Sequence, residues 1–151
     1  LEQNELINKR AREISTDSML LAEFLHSFPP GGQIQRIRNA SGRIFDVDIT
    51  DLLDRLINEW ELVDHYFLDS GVNDALNRLI AQARAFAYEL SNSTFPMPDK
   101  PDKYEIPPEW KIQDYDNYNA ILKLLYDYRD LFVQAYDEFV KTARSKLNCA
   151  I

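Results

Sequence analysis

Apolar residues recur at three- and four-residue spacing over most of the chain, which is the periodicity of helices that pack one face against a core. The pattern predicts four helices, over residues 2–28, 51–68, 73–91 and 115–147. The second and third are joined by a short connection, so they should form an antiparallel hairpin. We therefore expect an all-α bundle of about four helices, with residues 1–151 forming a single domain.

Polar and proline-rich positions indicate where these helices begin and end. Residues 15–18 interrupt the first helix with side chains that compete for backbone hydrogen bonds, so this helix either bends there or a second helix is capped there. We prefer one continuous helix, which the proline pair beginning at Pro29 should end. Thr50 is the predicted N-cap of the second helix, and Asp114 or Asp116 that of the last.

Residues 34–49 are the part of the chain that does not follow the helical pattern. Apolar and acidic residues alternate in residues 43–49, which predicts a half-buried strand. In residues 33–38 two isoleucines stand three apart, and this spacing fits either the partner strand of a small hairpin or a short helix. An isolated hairpin is marginally stable in water, so we expect the helices to support it.

Residues 92–113 differ from the rest of the chain because they contain five of its seven prolines. Proline removes a backbone donor and is poorly tolerated inside helices and central strands. We expect a long proline-rich loop here, pinned across the helices by its aromatic and aliphatic side chains. So long a loop in a compact domain is usually functional or disordered, and we favour an ordered one.

Composition adds constraints on partners and on location. The apolar fraction of 45% indicates a globular protein, and the net charge of −8 disfavours direct binding to nucleic acid while favouring a basic partner surface. The single cysteine, Cys149, indicates a reducing compartment, and we predict a cytoplasmic protein. No apolar run approaches the length of a membrane span. Because the sequence begins without methionine or a signal-peptide pattern, we interpret it as a processed product or as a fragment of a longer chain.

Most of the negative charge lies on the predicted second helix. Residues 50–69 contain six carboxylates and one arginine, a net charge of −5. At 100° per residue, one face of this helix lies opposite Trp60 and collects Asp51, Asp54, Asn58, Glu61, His65 and Asp69. This face is either a recognition surface for a basic partner or an ordinary solvated surface. Three arginines of the preceding segment could also neutralise it from within: Arg36, Arg38 and Arg43.

Metal binding is a weaker interpretation of these acids. Glu23 and His26 have the spacing of a helical carboxylate–histidine pair, and Glu61 and His65 stand four apart, but a di-iron bundle would need more inward-facing ligands. A magnesium-dependent hydrolase of the helical nucleotide-pyrophosphohydrolase type could use Asp51, Asp54, Glu61 and Asp64. Such a site needs acids from two helices, and the third helix offers only Asp74 and Glu89. We predict no metal, no cofactor and no catalytic residue.

The last helix and the segment before it are rich in tyrosine, a residue favoured at protein interfaces. Tyr115 and Tyr126 fall outside the main apolar stripe of this helix and are the predicted contact residues, although core packing with hydroxyls at the rim would also explain the tyrosines. The broad apolar arc over residues 118–147 is either central in the bundle or shared with a second copy in a homodimer.

Together these features favour a non-enzymatic, regulatory module that binds a protein partner. The predicted contact residues are Asp51, Asp54, Glu61, His65, Tyr115 and Tyr126. The first alternative is an acidic inhibitor that imitates nucleic acid and occupies a DNA- or RNA-binding protein. The second alternative is the metal-dependent hydrolase described above.

Overall fold

The computed structural model describes residues 2–40 and 43–147, and it confirms a mostly helical fold with a small β element. The described helices are α1 (Glu2–Ser27), α2 (Gln33–Arg38), α3 (Val47–Trp60), α4 (Ser70–Ser93), α5 (Pro108–Gln113) and α6 (Tyr115–Leu147). The described strands are β1 (Ile44–Asp46), β2 (Phe95–Met97) and β3 (Lys100–Glu105). The four long helices correspond to the four predicted ones, with shifted ends.

Helices α4 and α6 form the most extensively packed pair, and α1 and α3 complete the core around them. Phe24 of α1 lies at the centre, with its ring centroid 5.0 Å from that of Trp60 and 4.7 Å from that of Phe139. The Tyr136 hydroxyl donates a 2.7 Å hydrogen bond to the Phe28 carbonyl just beyond the end of α1. Burial raises the pKa of Tyr136 to about 12, so this hydroxyl remains a donor.

Helix α1 runs unbroken through residues 15–18, in agreement with the preference for one helix. The polar residues do not interrupt it because Thr16 is exposed and donates its hydroxyl to the Arg12 carbonyl at 3.0 Å, whereas Asp17 turns inward and finds backbone partners. The helix ends at Ser27, just before the proline pair.

The region between α1 and α3 differs in part from its prediction. Residues 33–38 form a short helix, α2, and not a strand. The predicted strand is confirmed only over Ile44–Asp46, because α3 begins at Val47. Ile49 is buried and starts the helical series that continues at Leu52 and Leu53, so period-two alternation misassigned it. Thr50 lies inside α3 and donates to the Val47 carbonyl at 2.7 Å, so its prediction as an N-cap is wrong.

The predicted helix over residues 51–68 ends at Trp60, and a single 3₁₀ turn, Val63–His65, follows it. The chain then runs extended into α4, because side chains from elsewhere hold its backbone amides. Asn73 Oδ1 accepts from the Phe67 amide at 3.2 Å, and Asp17 accepts from the next two amides. Side-chain acceptors of this kind offer the backbone an alternative to helical hydrogen bonds.

The proline-rich segment is not the long loop that was predicted. It contains β2, β3 and the short helix α5. The sheet order is β1-β3-β2, with both pairs antiparallel and Phe45 opposite Tyr104. Pro96 is tolerated because it lies in an edge strand, and Pro108 because it occupies the first turn of α5, where an amide donor is not needed. Pro101 lies in the central strand, at the irregularity in register where Met97 pairs with Lys100. Buried Ile106 anchors the segment to the core.

Candidate partner-binding surfaces

Only part of the predicted acidic face survives as a helix surface. Asp51 and Asp54 are both exposed on α3. Glu61 is the C-cap residue of that helix and forms a salt bridge with Arg84 of α4. Asp69 lies beyond the end of α3 and is buried, so it does not extend the face. The continuous stripe expected from a longer helix is therefore wrong, because α3 ends at Trp60.

His65 was expected on the acidic face opposite Trp60, and this placement is wrong. The turn after α3 folds the imidazole back so that it stacks on the Trp60 ring, with centroids 4.1 Å apart and planes 21° apart. Its Nε2 lies 3.1 Å from Glu23 Oε1, and its Nδ1 contacts the Glu59 carbonyl. His65 thus joins α1 to the end of α3.

The predicted carboxylate–histidine spacing of α1 is not used within that helix. Glu23 contacts His65, a residue 42 positions away, and His26 is exposed near the end of the helix. Within residues 2–40 and 43–147, no group of three or more histidine, cysteine, aspartate or glutamate side chains lies close enough together to hold a metal ion. Cys149 lies outside the described residues.

Arg36 and Arg38 contact carboxylates that lie outside the predicted acidic face. Arg36 lies 3.4 Å from Asp48 at the start of α3, and Arg38 makes two hydrogen bonds, of 3.0 and 2.8 Å, to Asp137 of α6. This short segment is thereby fastened to two helices.

Asp17 carries a buried carboxylate that the sequence pattern did not predict. Asp17 is 0% exposed, and its two oxygens accept hydrogen bonds from the Leu68 and Asp69 amides at 2.8 and 2.9 Å. Asp69 is the N-cap of α4, accepting from the Val72 amide at 3.0 Å and from Arg10 at 3.1 Å. We call Asp17 and Asp69 with these partners the aspartate clamp. It fixes the extended segment that leads into α4.

The surroundings of the Asp69 carboxylate favour its ionised form. Burial acts to raise the pKa of Asp69, but the Val72 amide, the Arg10 guanidinium and the Lys146 ammonium together outweigh it. The pKa of Asp69 is therefore lowered from its ordinary value, and the ionised form is the one that caps α4.

The tyrosines of α6 divide between the core and the surface. Tyr118 and Tyr136 are buried, whereas Tyr115 at the first position of the helix is 57% exposed. Tyr126 is half-buried beneath the Arg129 guanidinium, which lies 4.7 Å from the ring centroid. Of the two tyrosines predicted to contact a partner, Tyr115 is thus the more exposed.

An exposed apolar surface lies where β2 is close to α5. The sequence pattern did not predict a site there. An open depression of about 470 Å³ marks it, with two glutamates on its rim. We call it the aromatic–proline face; it comprises Phe95, Pro96, Pro98, Pro107, Pro108 and Trp110, with Glu105 and Glu109. Phe95 is 47% exposed, although most aromatic side chains of the protein are buried.

The backbone holds this face in a fixed shape. The Phe95 and Trp110 rings meet edge to face, with centroids 5.9 Å apart and planes 76° apart. The Trp110 amide donates to the Pro107 carbonyl at 3.1 Å, and the Trp110 carbonyl accepts from the Asp114 amide at 2.9 Å. Glu105 lies in β3, paired with Phe95 on one side and Ile44 on the other. The aromatic pair is therefore positioned before any ligand arrives.

Strand β3 lies between the aromatic–proline face and the acidic residue Asp54 of α3. A smaller depression, of about 260 Å³, is lined by Asp54 of α3, Tyr104 of β3 and Thr94 at the end of α4, among others. Tyr104 and Glu105 are consecutive in β3, so their side chains point to opposite faces of the sheet. The hairpin thus separates the aromatic–proline face from Asp54.

Among the described residues, none of the helices combines the length and the apolar composition needed to cross a membrane. No family model, curated protein or solved structure matches the chain.

Proposed function

We propose that this chain is a non-enzymatic protein-interaction module, and that it binds a partner carrying basic groups through the aromatic–proline face. The observation that carries the proposal is the exposure of Phe95 and its neighbouring prolines beside Glu105 and Glu109. Interfaces are enriched in aromatic residues at their centres and keep polar residues at their rims.

The charge of the surrounding segment supports a basic partner. Residues 95–116 contain six carboxylates and three lysines, a net charge of −3. One of these lysines, Lys103, is already engaged with Asp46 across the sheet. Tyr115, the first residue of α6, follows α5 after Asp114 and is 57% exposed. The other predicted contact residues, Asp51 and Asp54, add acidic surface behind the hairpin, whereas Glu61 and His65 are engaged in contacts within the chain.

The imitation of nucleic acid receives less support from this arrangement. That hypothesis depends on a continuous series of carboxylates, and the series along α3 ends with that helix at Trp60. Glu61 is neutralised by Arg84, and the Asp69 carboxylate is used as a helix cap. Asp51 and Asp54 are the members of the series that stay exposed on the helix.

A pull-down from cells that express the chain tests the proposed surface. We expect Phe95→Ser to reduce recovery of the partner about tenfold, because truncating a central aromatic residue of an interface typically costs more than 1 kcal/mol. The matched control is Met19→Ser, which changes a residue that is 73% exposed on α1, away from the face. The control should recover the partner as the unmodified chain does. Equal recovery with both variants, or no specific partner with the unmodified chain, would overturn the proposal.

A further inference from the structure

The chemistry of the aromatic–proline face points to one class of ligand. We infer that it binds an extended, proline-containing segment of a partner protein that also carries arginine or lysine. This inference rests on the proposed function, because it specifies what the partner presents to the same surface. Aromatic-lined grooves recognise polyproline II segments in several kinds of interaction module, since such segments lose little entropy on binding.

The edge of the sheet argues against a ligand that binds by adding a strand. β2 is an outer strand of the sheet, so its free side is the place where a fourth strand would pair. Pro96 within β2 has no amide hydrogen to donate, and Pro98 follows directly after the strand. A proline in an edge strand discourages such pairing. Recognition must then come from side chains, as it does for a polyproline II segment with its solvated backbone.

The rim of the face supplies the reason for expecting a basic residue. Glu105 is half-buried between its two partner strands and Glu109 is exposed in the first turn of α5. Both carboxylates border the same depression as the Phe95 and Trp110 rings. A guanidinium or ammonium group beside the bound prolines would meet a carboxylate there, and arginine could make paired hydrogen bonds to it. Such a contact also fixes the direction in which the segment lies.

The size of the expected effect follows from the two kinds of contact. The ring contacts should provide most of the affinity, because they remove apolar area from water. The carboxylates lie at the rim, where exposed ion pairs are screened by salt. Removing an aromatic ring should therefore weaken binding more than neutralising a glutamate, and only the latter should reduce the dependence on salt.

The test uses a fluorescent decapeptide of eight prolines and two arginines, titrated with the full chain and followed by anisotropy. A peptide in which the prolines are replaced by alternating glycine and serine, with the same two arginines, is the matched control. We expect the proline peptide to bind at least tenfold more tightly than the control peptide. Phe95→Ser should weaken binding about tenfold, and the pair Glu105→Gln with Glu109→Gln should weaken it about threefold and flatten its salt dependence. Met19→Ser should change neither the affinity for the proline peptide nor the salt dependence of its binding.

The outcomes separate this inference from the proposed function. If the two peptides bind equally, or if Phe95→Ser leaves the binding of the proline peptide unchanged, the inferred ligand class is wrong. The proposed function would still stand where the pull-down loses its partner with Phe95→Ser. If the pull-down is insensitive to Phe95→Ser, the proposed function fails whatever the peptides do. Circular dichroism of each variant confirms that a loss of binding is not a loss of the fold.

Discussion

Two regions of the molecule depart from the usual sorting of side chains, and they do so in opposite ways. In the aspartate clamp, the charged residue Asp17 is fully buried. On the aromatic–proline face, Phe95 is about half exposed. Buried polar groups and exposed apolar patches are the two informative exceptions to the burial rule. Each of them needs a physical reason.

The reasons differ because of the partners that each side chain finds. Both oxygens of Asp17 receive backbone amides, so the group is satisfied within the chain and contributes to the fold. The Phe95 ring meets Trp110 edge to face, and about half of the side chain faces water. The contrast teaches that a polar group can be essential to the architecture of a protein, whereas an apolar group can be available for a contact outside it.

Of the substitutions within these two regions, Asp17→Ala should have the largest effect on stability. It removes the acceptor of the buried Asp69 amide and of the partly buried Leu68 amide, and an unsatisfied buried donor costs about 1–3 kcal/mol. We expect the free energy of unfolding to fall by about 3 kcal/mol, measured by urea denaturation. Asp17→Asn keeps one acceptor oxygen and should cost about half as much.

Glu5→Ala is the matched control for this loss, since it removes an exposed carboxylate from the same helix. Its free energy of unfolding should stay within about 0.5 kcal/mol of the unmodified value. If Asp17→Ala proved as mild as Glu5→Ala, the clamp would not hold the extended segment before α4.

The clamp shows why sequence patterns located the helices but missed a residue that positions them. The apolar periodicity of α1, α4 and α6 is local, and it predicted these helices with ends close to those observed. Asp17 contacts residues 51 and 52 positions away, so its neighbours in the sequence carry no trace of its partners. Its local signal, a polar cluster in a helix, indicated an interruption.

The difference between local and long-range contacts also explains why a loop was wrongly predicted for the proline-rich segment. β3 pairs with β2 inside the segment and also with β1, which lies more than 50 residues earlier, so only part of the pairing that orders this segment lies within it. Five prolines gave a strong local indication of a loop. The edge position of β2 and the first-turn position of Pro108 make Pro96 and Pro108 compatible with regular structure. The aromatic–proline face therefore could not be recognised before the fold was known.

A smaller effect, and one that depends on pH, should follow Asp69→Asn. Asparagine can still accept from the Val72 amide, but it loses the charge that faces Arg10 and Lys146. At pH 7 we expect a loss of about 1 kcal/mol, the scale of a favourable charge at a helix N-terminus. Urea denaturation across pH 3–7 would measure the difference between the two proteins.

The sign of the pH dependence follows from the lowered pKa of Asp69. The contribution is complete above the ordinary value of 3.8 and is lost as the pH falls through the lower folded pKa. The curves of the unmodified protein and Asp69→Asn should therefore converge in acid. A gap that stays constant down to pH 3 would mean that the charge of Asp69 does not stabilise the fold.

The smallest effect on stability should come from Phe95→Ser, which tests the aromatic–proline face as Asp17→Ala tests the aspartate clamp. About half of this side chain already faces water, so truncating it should cost less than about 1 kcal/mol. The matched variant is Phe86→Ser at a fully buried phenylalanine, where removing the ring should cost at least about 3 kcal/mol. Urea denaturation of the two variants at pH 7 would measure both values. If Phe95→Ser destabilised the protein as much as Phe86→Ser, its ring would belong to the core, and exposure alone would no longer argue that it serves a partner.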